Sequence, residues 1–195
     1  MLDFLPANLR HHLLQVGNLK ELQGGGAVEV RSGYVVVLGG EVWVFDINGD
    51  LLLGYLGEGE ILFAEGFPVK LSGRGARVLL VSASDFKLVI ERSPELMWRV
   101  MSSVLGWARK VSELAARLAK LSARARIAAA VLDFGERLPS ISLIARRAGV
   151  TRETASRVIN RWIRAGILGR VEGKLVILKP EWLRKTLKST MGKVG

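Results

Sequence analysis

The stretch SISLIARRAGVTRETASRVINRWIRAGILGRVEGKLVILK, residues 140–179, decides the reading of this chain. Ser140 can cap a short helix over 141–148, because its hydroxyl accepts from backbone N–H groups left free in a first turn. Gly149 ends that helix, since glycine takes the left-handed conformation without steric cost. Val150 leads to Thr151, which can cap a second helix over 152–165, closed in turn by Gly166. Ile144, Ala145, Ala148, Val150, Ala155 and Val158 fall on the inward faces, and Ala145 and Ala155 allow a close helix crossing. Beyond them, 167–170 and 175–178 flank Glu172-Gly173, a tight-hairpin signal. The pattern is helix, glycine turn, helix, then a two-stranded wing.

The second helix turns Arg152, Glu153, Ser156, Arg157 and Arg161 outward. Arginine can bond a guanine edge with two donors, and a glutamate can accept from cytosine. Such a helix reads bases from its N-terminal end. Charge along the chain agrees. Residues 1–93 hold 8 Lys and Arg against 11 Asp and Glu, a net of −3, while residues 94–195 hold 21 against 7, a net of +14. A basic half on a mildly acidic half suits a chain in which one half meets a polyanion. A-form RNA offers side chains no comparable major groove, so double-stranded DNA is the expected partner.

Upstream, Ser93-Pro94-Glu95 is a helix start. From there the sequence keeps a heptad rhythm, with Met97, Val104, Val111 and Leu118 in one series and Val100, Trp107, Leu114 and Leu121 in the other. Alternating steps of three and four over more than three heptads predict a parallel two-stranded seam, and hence a homodimer. The competing reading is one long helix packed on its own domain. A further helix is expected over 121–135. Before residue 93, a short helix is expected over 7–16, and apolar runs at 27–31, 34–38, 41–45, 51–55, 61–64 and 76–82 are punctuated by glycines. Asn48-Gly49 predicts a tight hairpin between two of them. Many short strands at even spacing predict a sandwich or jelly roll. The fold class is therefore α+β, with a β-roll at 1–93, a dimerisation helix at 94–121 and a winged helix-turn-helix at 122–195.

In order of elements and in the string Thr151-Arg152-Glu153-Thr154-Ala155-Ser156-Arg157-Val158, the chain resembles the Crp/Fnr family of transcription regulators. The resemblance implies a dimer on a palindromic promoter site, with a TGTGA-like element in each half. Arg152, Glu153 and Arg157 would read bases, and Thr151, Ser156 and Arg161 would hold phosphates. It also implies an activator whose further partner is RNA polymerase. In the family's cyclic-AMP-binding members a Gly-Glu pair and a later Arg-Ser pair hold ribose and phosphate. The nearest match here is Ala64-Glu65 and Arg74-Gly75, with Val111-Ser112 in place of the base-touching Thr-Ser pair. Glu65, Arg74 and Ser112 are thus expected as remnants of an effector pocket that has lost donors, and a phosphate with fewer donors binds poorly. The expectation is regulation without cyclic AMP. The alternative is a cyclic-nucleotide-dependent member of the same family.

Other functions find little support. The chain has no cysteine, which excludes disulfides, thiolate zinc sites and cysteine-held iron–sulfur clusters. His11 and His12 are its only histidines, adjacent on a polar helix, so no metal site or jelly-roll metalloenzyme is expected. Gly24-Gly25-Gly26 lacks the Lys-Ser/Thr of a phosphate loop. No stretch nears the roughly 20 apolar residues of a membrane span. The start, Met1-Leu2-Asp3-Phe4, has no signal-peptide pattern, so a cytoplasmic protein without a cofactor is expected.

Overall fold

The computed structural model describes residues 7–24, 26–136 and 138–191. The N-terminal start Met1–Phe4, Gly25 of the glycine run and Arg137 of the 136–139 connection lie outside them. The chain divides into two compact units, one of residues 1–49 and 53–112, the other of residues 50–52 and 113–195.

The first unit opens with α1 (Ala7–Val16) and continues as eight strands: β1 (Asn18–Leu22), β2 (Ala27–Val30), β3 (Tyr34–Gly39), β4 (Val42–Asp46), β5 (Leu52–Leu56), β6 (Ile61–Phe63), β7 (Val69–Gly73) and β8 (Ala76–Val81). They form two four-stranded sheets, ordered β1-β8-β3-β6 and β2-β7-β4-β5, as a jelly roll requires. β3 is apolar throughout because both its faces are covered. Val36 and Leu38 join Ile61, Leu79 and Val81 in a core with Leu13, Phe86, Val89, Leu96 and Val100 from helices. Their alternates Val35, Val37, Leu62 and Val78 are buried on the opposite face. β7 instead alternates, with Val69 and Leu71 buried and Lys70 and Ser72 half-buried, the pattern of a sheet with one open face, while β4 keeps that alternation at Val42, Trp43 and Val44 and breaks it at the buried Phe45.

Sequence reading misses β1, β7 and α2 (Ala83–Ile90). β1 is an edge strand with two charges, held by its pairing with β8 from Asn18↔Leu80 to Leu22↔Ala76. The apolar run at 76–82 carries the last strand through Ser82. In the structure Ser82 caps α2 instead, its side chain accepting from the Asp85 N–H at 3.1 Å. The Asn48-Gly49 hairpin also differs from expectation. Only Gly49 has a positive φ, 82°, and its N–H bonds the Asp46 carbonyl at 2.9 Å. The turn therefore centres on Ile47-Asn48, with Gly49 following it in the left-handed region.

α3 (Pro94–Lys120) starts where expected. Ser93 caps it, accepting from the Leu96 N–H at 3.3 Å. Its apolar seam is not one surface. Val100, Trp107, Leu114 and Leu121 are buried within the chain, and Val111 and Leu118 are half-buried. Trp107 lies against Gly54, where an added Cβ would meet the indole at 3.0 Å. Of the expected dimer residues only Met97 and Val104 are exposed, and they share an outward stripe with Trp98 (68 % exposed), Met101 and Leu105 (67 %). Half of the expected seam therefore packs inside its own chain.

In the second unit, α4 (Ala123–Phe134) is capped by Ser122. It is followed by α5 (Ile141–Ala148), α6 (Arg152–Arg164), β9 (Leu168–Val171), β10 (Lys174–Ile177) and α7 (Pro180–Met191). Ile127, Val131, Ile144, Ala148, Ile159, Trp162 and Leu183 lie in its core. α7 is an element that sequence reading misses. It packs through Leu183, and its Trp182 meets Trp162 edge-on at 5.8 Å between ring centroids. No helix among the described residues is long and apolar enough to cross a membrane.

Because Trp107 is a core residue of its own protomer, Trp107→Ala should cost about 3–5 kcal/mol of unfolding free energy. Urea unfolding should show that loss equally at low and high protein concentration. A loss that vanishes on dilution would assign Trp107 to a subunit contact.

Candidate nucleic-acid interface

Four local devices aim α6. Ser140 caps α5, accepting from the Leu143 N–H at 3.4 Å. Gly149 follows in the left-handed conformation, φ 58°, ψ 47°. There Gly149 N–H bonds Arg146 O at 3.3 Å and Val150 N–H bonds Ala145 O at 3.1 Å, the paired bonds of a Schellman motif. Thr151 then caps α6, accepting from the Thr154 N–H at 3.2 Å. The closing pair recurs at Gly166, whose N–H bonds Ile163 O while the Ile167 N–H bonds Trp162 O. The wing turns at Glu172 and Gly173, φ 50° and 76°, which places Val171 opposite Lys174. Two successive positive φ values are those of a type I′ turn.

On α6, Arg152, Glu153, Arg157 and Arg161 are exposed, as expected. Thr151 is exposed too, but its hydroxyl is engaged with Thr154. Ser156 is half-buried and accepts from Asn160 Nδ2 at 3.3 Å. The carboxyl of Glu153 is held below the usual carboxylate range. Its own backbone N–H is the largest cause, then the Thr151 hydroxyl, with Arg152 and Arg157 adding attraction. Glu153 is therefore an anion, able only to accept.

Sequence reading misses several cations and polar groups beside this face. Asn160 and Arg164 continue the exposed side of α6. An open cleft of about 390 Å³ lies between the start of α5, the start of α6 and the wing, and Ser140, Ser142, Arg152, Arg170 and Lys174 line it. Arg170 is oriented by its bond to the Gly173 carbonyl at 3.2 Å. The wing cations are legible only as charge, because nothing in the spacing says which strand face they occupy.

The expected effector remnants do not assemble. Glu65 stands beside the first residues of β3, where its carboxylate accepts from the Gly33 N–H at 3.1 Å. Tyr34 next to it has its phenol pushed up, first by burial and then by the charge of Glu65. Arg74 sits in the β7–β8 turn. β3 pairs with β8 from Tyr34↔Val81 to Gly39↔Arg77, so Glu65 and Arg74 stand at opposite ends of that ladder, about 16 Å apart along the strand. Only Gly66, Phe67 and Pro68 separate Glu65 from β7. Ser112 is exposed on α3. Matching Glu65 and Arg74 by sequence distance ignores the strand register.

Residues 113–186 match the Crp-like helix-turn-helix domain family. Solved structures share the fold over most of the chain. A Crp/Fnr-family chain from Eubacterium rectale is 16 % identical, with a TM-score of 0.74 over 96 % of this chain and 97 % of that one. The c-di-GMP responsive global regulator CLP of Xanthomonas campestris is 20 % identical, with a TM-score of 0.71 over 88 % and 99 %. A CRP/FNR-family transcriptional regulator from Thermus thermophilus is 19 % identical, with a TM-score of 0.68 over 89 % and 100 %. Among proteins of curated function, none matches the sequence. The chain thus carries a Crp-like helix-turn-helix domain in the fold of the Crp/Fnr regulators.

Since the folded carboxyl of Glu153 titrates below the usual range, any base contact that it accepts should persist as pH falls from 8 to 5 and fade only at lower pH. Discrimination between a cytosine and its replacement opposite Glu153, measured by competition at pH 5 and pH 7.5, should be unchanged. A loss already at pH 5 would contradict the assignment of an ionised acceptor.

Proposed function

We propose that this protein is a sequence-specific DNA-binding transcription regulator of the Crp/Fnr type, acting by binding rather than catalysis. The observation that carries the reading is α6 itself, a helix fixed by caps and glycine turns whose exposed face concentrates four arginines around one ionised glutamate. Arg152, Glu153 and Arg157 read base edges. Thr151, Ser156 and Arg161 meet phosphates, joined by Arg170 and Lys174 from the wing side. The regulator works in the cytoplasm, and an activator role with RNA polymerase as partner follows from the family resemblance.

Two copies pair along α3 and present two recognition helices to half-sites about 34 Å apart on one face of the duplex. The exposed stripe Met97, Trp98, Met101, Val104 and Leu105 supports this pairing, since apolar residues gathered on one helix face mark a contact surface. Met101→Glu together with Leu105→Glu should yield monomers by sedimentation and weaken operator binding. A doubly substituted protein that remains dimeric would disprove this interface.

Binding does not require cyclic AMP. The separation of Glu65 from Arg74 and the short Gly66–Pro68 connection support that reading. Selection from random DNA, run with and without cyclic AMP, tests the whole proposal. It should return the same two-fold symmetric element each time. On that element, Arg157→Ala should cost about 1–3 kcal/mol and relax preference at one base pair. Arg161→Ala should weaken all sequences alike and flatten the salt slope by about one. A uniform loss for Arg157→Ala would mean that it reads no base, and tenfold tighter binding with cyclic AMP would overturn independence from it.

A further inference from the structure

One charged cluster lies outside the residues proposed above to read DNA. Asp133, in the last turn of α4, accepts through Oδ2 from Arg117 Nη1 of α3 at 2.5 Å. The same oxygen accepts from Arg147 Nε and Nη2 of α5 at 3.1 and 3.0 Å. One carboxylate oxygen thus binds two guanidinium groups from two other helices. The side chains are 32 %, 25 % and 15 % exposed for Arg117, Asp133 and Arg147, so water screens them less than an open surface pair. Charge-assisted, partly bidentate bonds of this kind fix orientation as well as distance.

Beside this cluster the same turn of α3 touches the helix-turn-helix directly. A Cβ on Gly149 would lie 2.6 Å from Leu118 Cδ2. Arg126 Nη1 of α4 donates to the Gly149 carbonyl at 3.3 Å. Gly149 precedes the α6 cap Thr151 by two residues. The end of α3 therefore holds both the helix before the turn, through Asp133 and Arg147, and the turn itself, through Leu118.

We infer that Asp133 is a positioning residue that sets the pose of the recognition helix against the end of α3, and so specifies the spacing between half-sites. The inference rests on the DNA reading proposed above. If α3 is the helix along which two copies pair, the angle at which α6 leaves it fixes the separation of the two recognition helices. Arg117 is the arm that reaches α3, while the Arg147 arm lies within the helix-turn-helix.

The two arms can be tested separately with the full-length protein. Half-site sequences are held constant and the spacer between them is varied one base pair at a time, with affinities measured by competition. The wild type should prefer one spacer. Arg117→Gln removes only the arm to α3, and should reduce discrimination between that spacer and its neighbours by about threefold to tenfold while base preferences within each half-site stay unchanged. Asp133→Asn should do the same, and Arg117→Lys should restore part of the discrimination. Should Asp133→Asn fail to fold, the partly exposed Arg117 variants still decide. Uniform weakening at every spacer, or no change, in Arg117→Gln would overturn the inference. A wild type with half-site preference but no spacer preference would overturn it too, leaving the DNA reading intact. No half-site preference at all would remove both.

Discussion

The helix-turn-helix depends on one backbone conformation, the left-handed residue at Gly149. Two constraints meet there. The φ of 58° disfavours any residue with a Cβ, and Leu118 Cδ2 would lie only 2.6 Å from that Cβ. With the turn closed so tightly, Ala145 and Ala155 can face each other in the core, and Thr151 falls where its hydroxyl caps α6. Neither helix is long. α5 has 8 residues and α6 has 13, lengths at which an isolated helix is marginal in water. Their stability comes from caps, from the turn and from the apolar face they bury against α4 and α7.

How legible each part is follows from where its information resides. The helix-turn-helix and wing can be read to within a residue or two, because Ser140, Gly149, Thr151, Gly166 and Glu172-Gly173 act locally and each signals its own backbone state. The β-roll is legible as a class and in most strands. β1 and β7 are not, because Lys20 and Glu21 in one and Lys70 and Ser72 in the other break the apolar run, and their strand character comes from long-range pairing with β8, β2 and β4. The separation of Glu65 from Arg74 is hidden for the same reason. Glu65 and Arg74 are nine positions apart in the sequence, but register places them at opposite ends of a ladder, and register is a tertiary property.

The helix α3 shows how a correct pattern can carry an incomplete meaning. The two apolar series are real, yet residues three and four apart stand on neighbouring flanks of a helix and need not share one partner. Burial along α3 follows that distinction. Val100, Trp107, Leu114 and Leu121 face inward along its length, while Met97 and Val104 turn out with Trp98, Met101 and Leu105. One helix thus offers one flank to its own chain and another to solvent. A heptad count assigns both flanks to a single partner, because periodicity reports that a stripe is apolar and not what covers it.

Charge on α6 supplies the last step. Arg157 and Arg161 are one turn apart and both exposed, a like-charged pair that disfavours an isolated helix by about 0.2–0.5 kcal/mol. Arg152 and Arg164 add to the same field. Glu153 offsets part of it, lying one turn before Arg157 and near the helix N-terminus, where an anion is favoured. The Thr151 cap offsets roughly 1 kcal/mol more. Elsewhere in the unit, cations meet a carboxylate where they pack, as Arg117 and Arg147 do on Asp133. On the outer face of α6 the excess remains, although folding alone would favour fewer arginines. A polyanion laid along that face would turn the repulsion into attraction by displacing its own counterions, which is why the surplus is intelligible at this surface as a binding feature rather than a packing one.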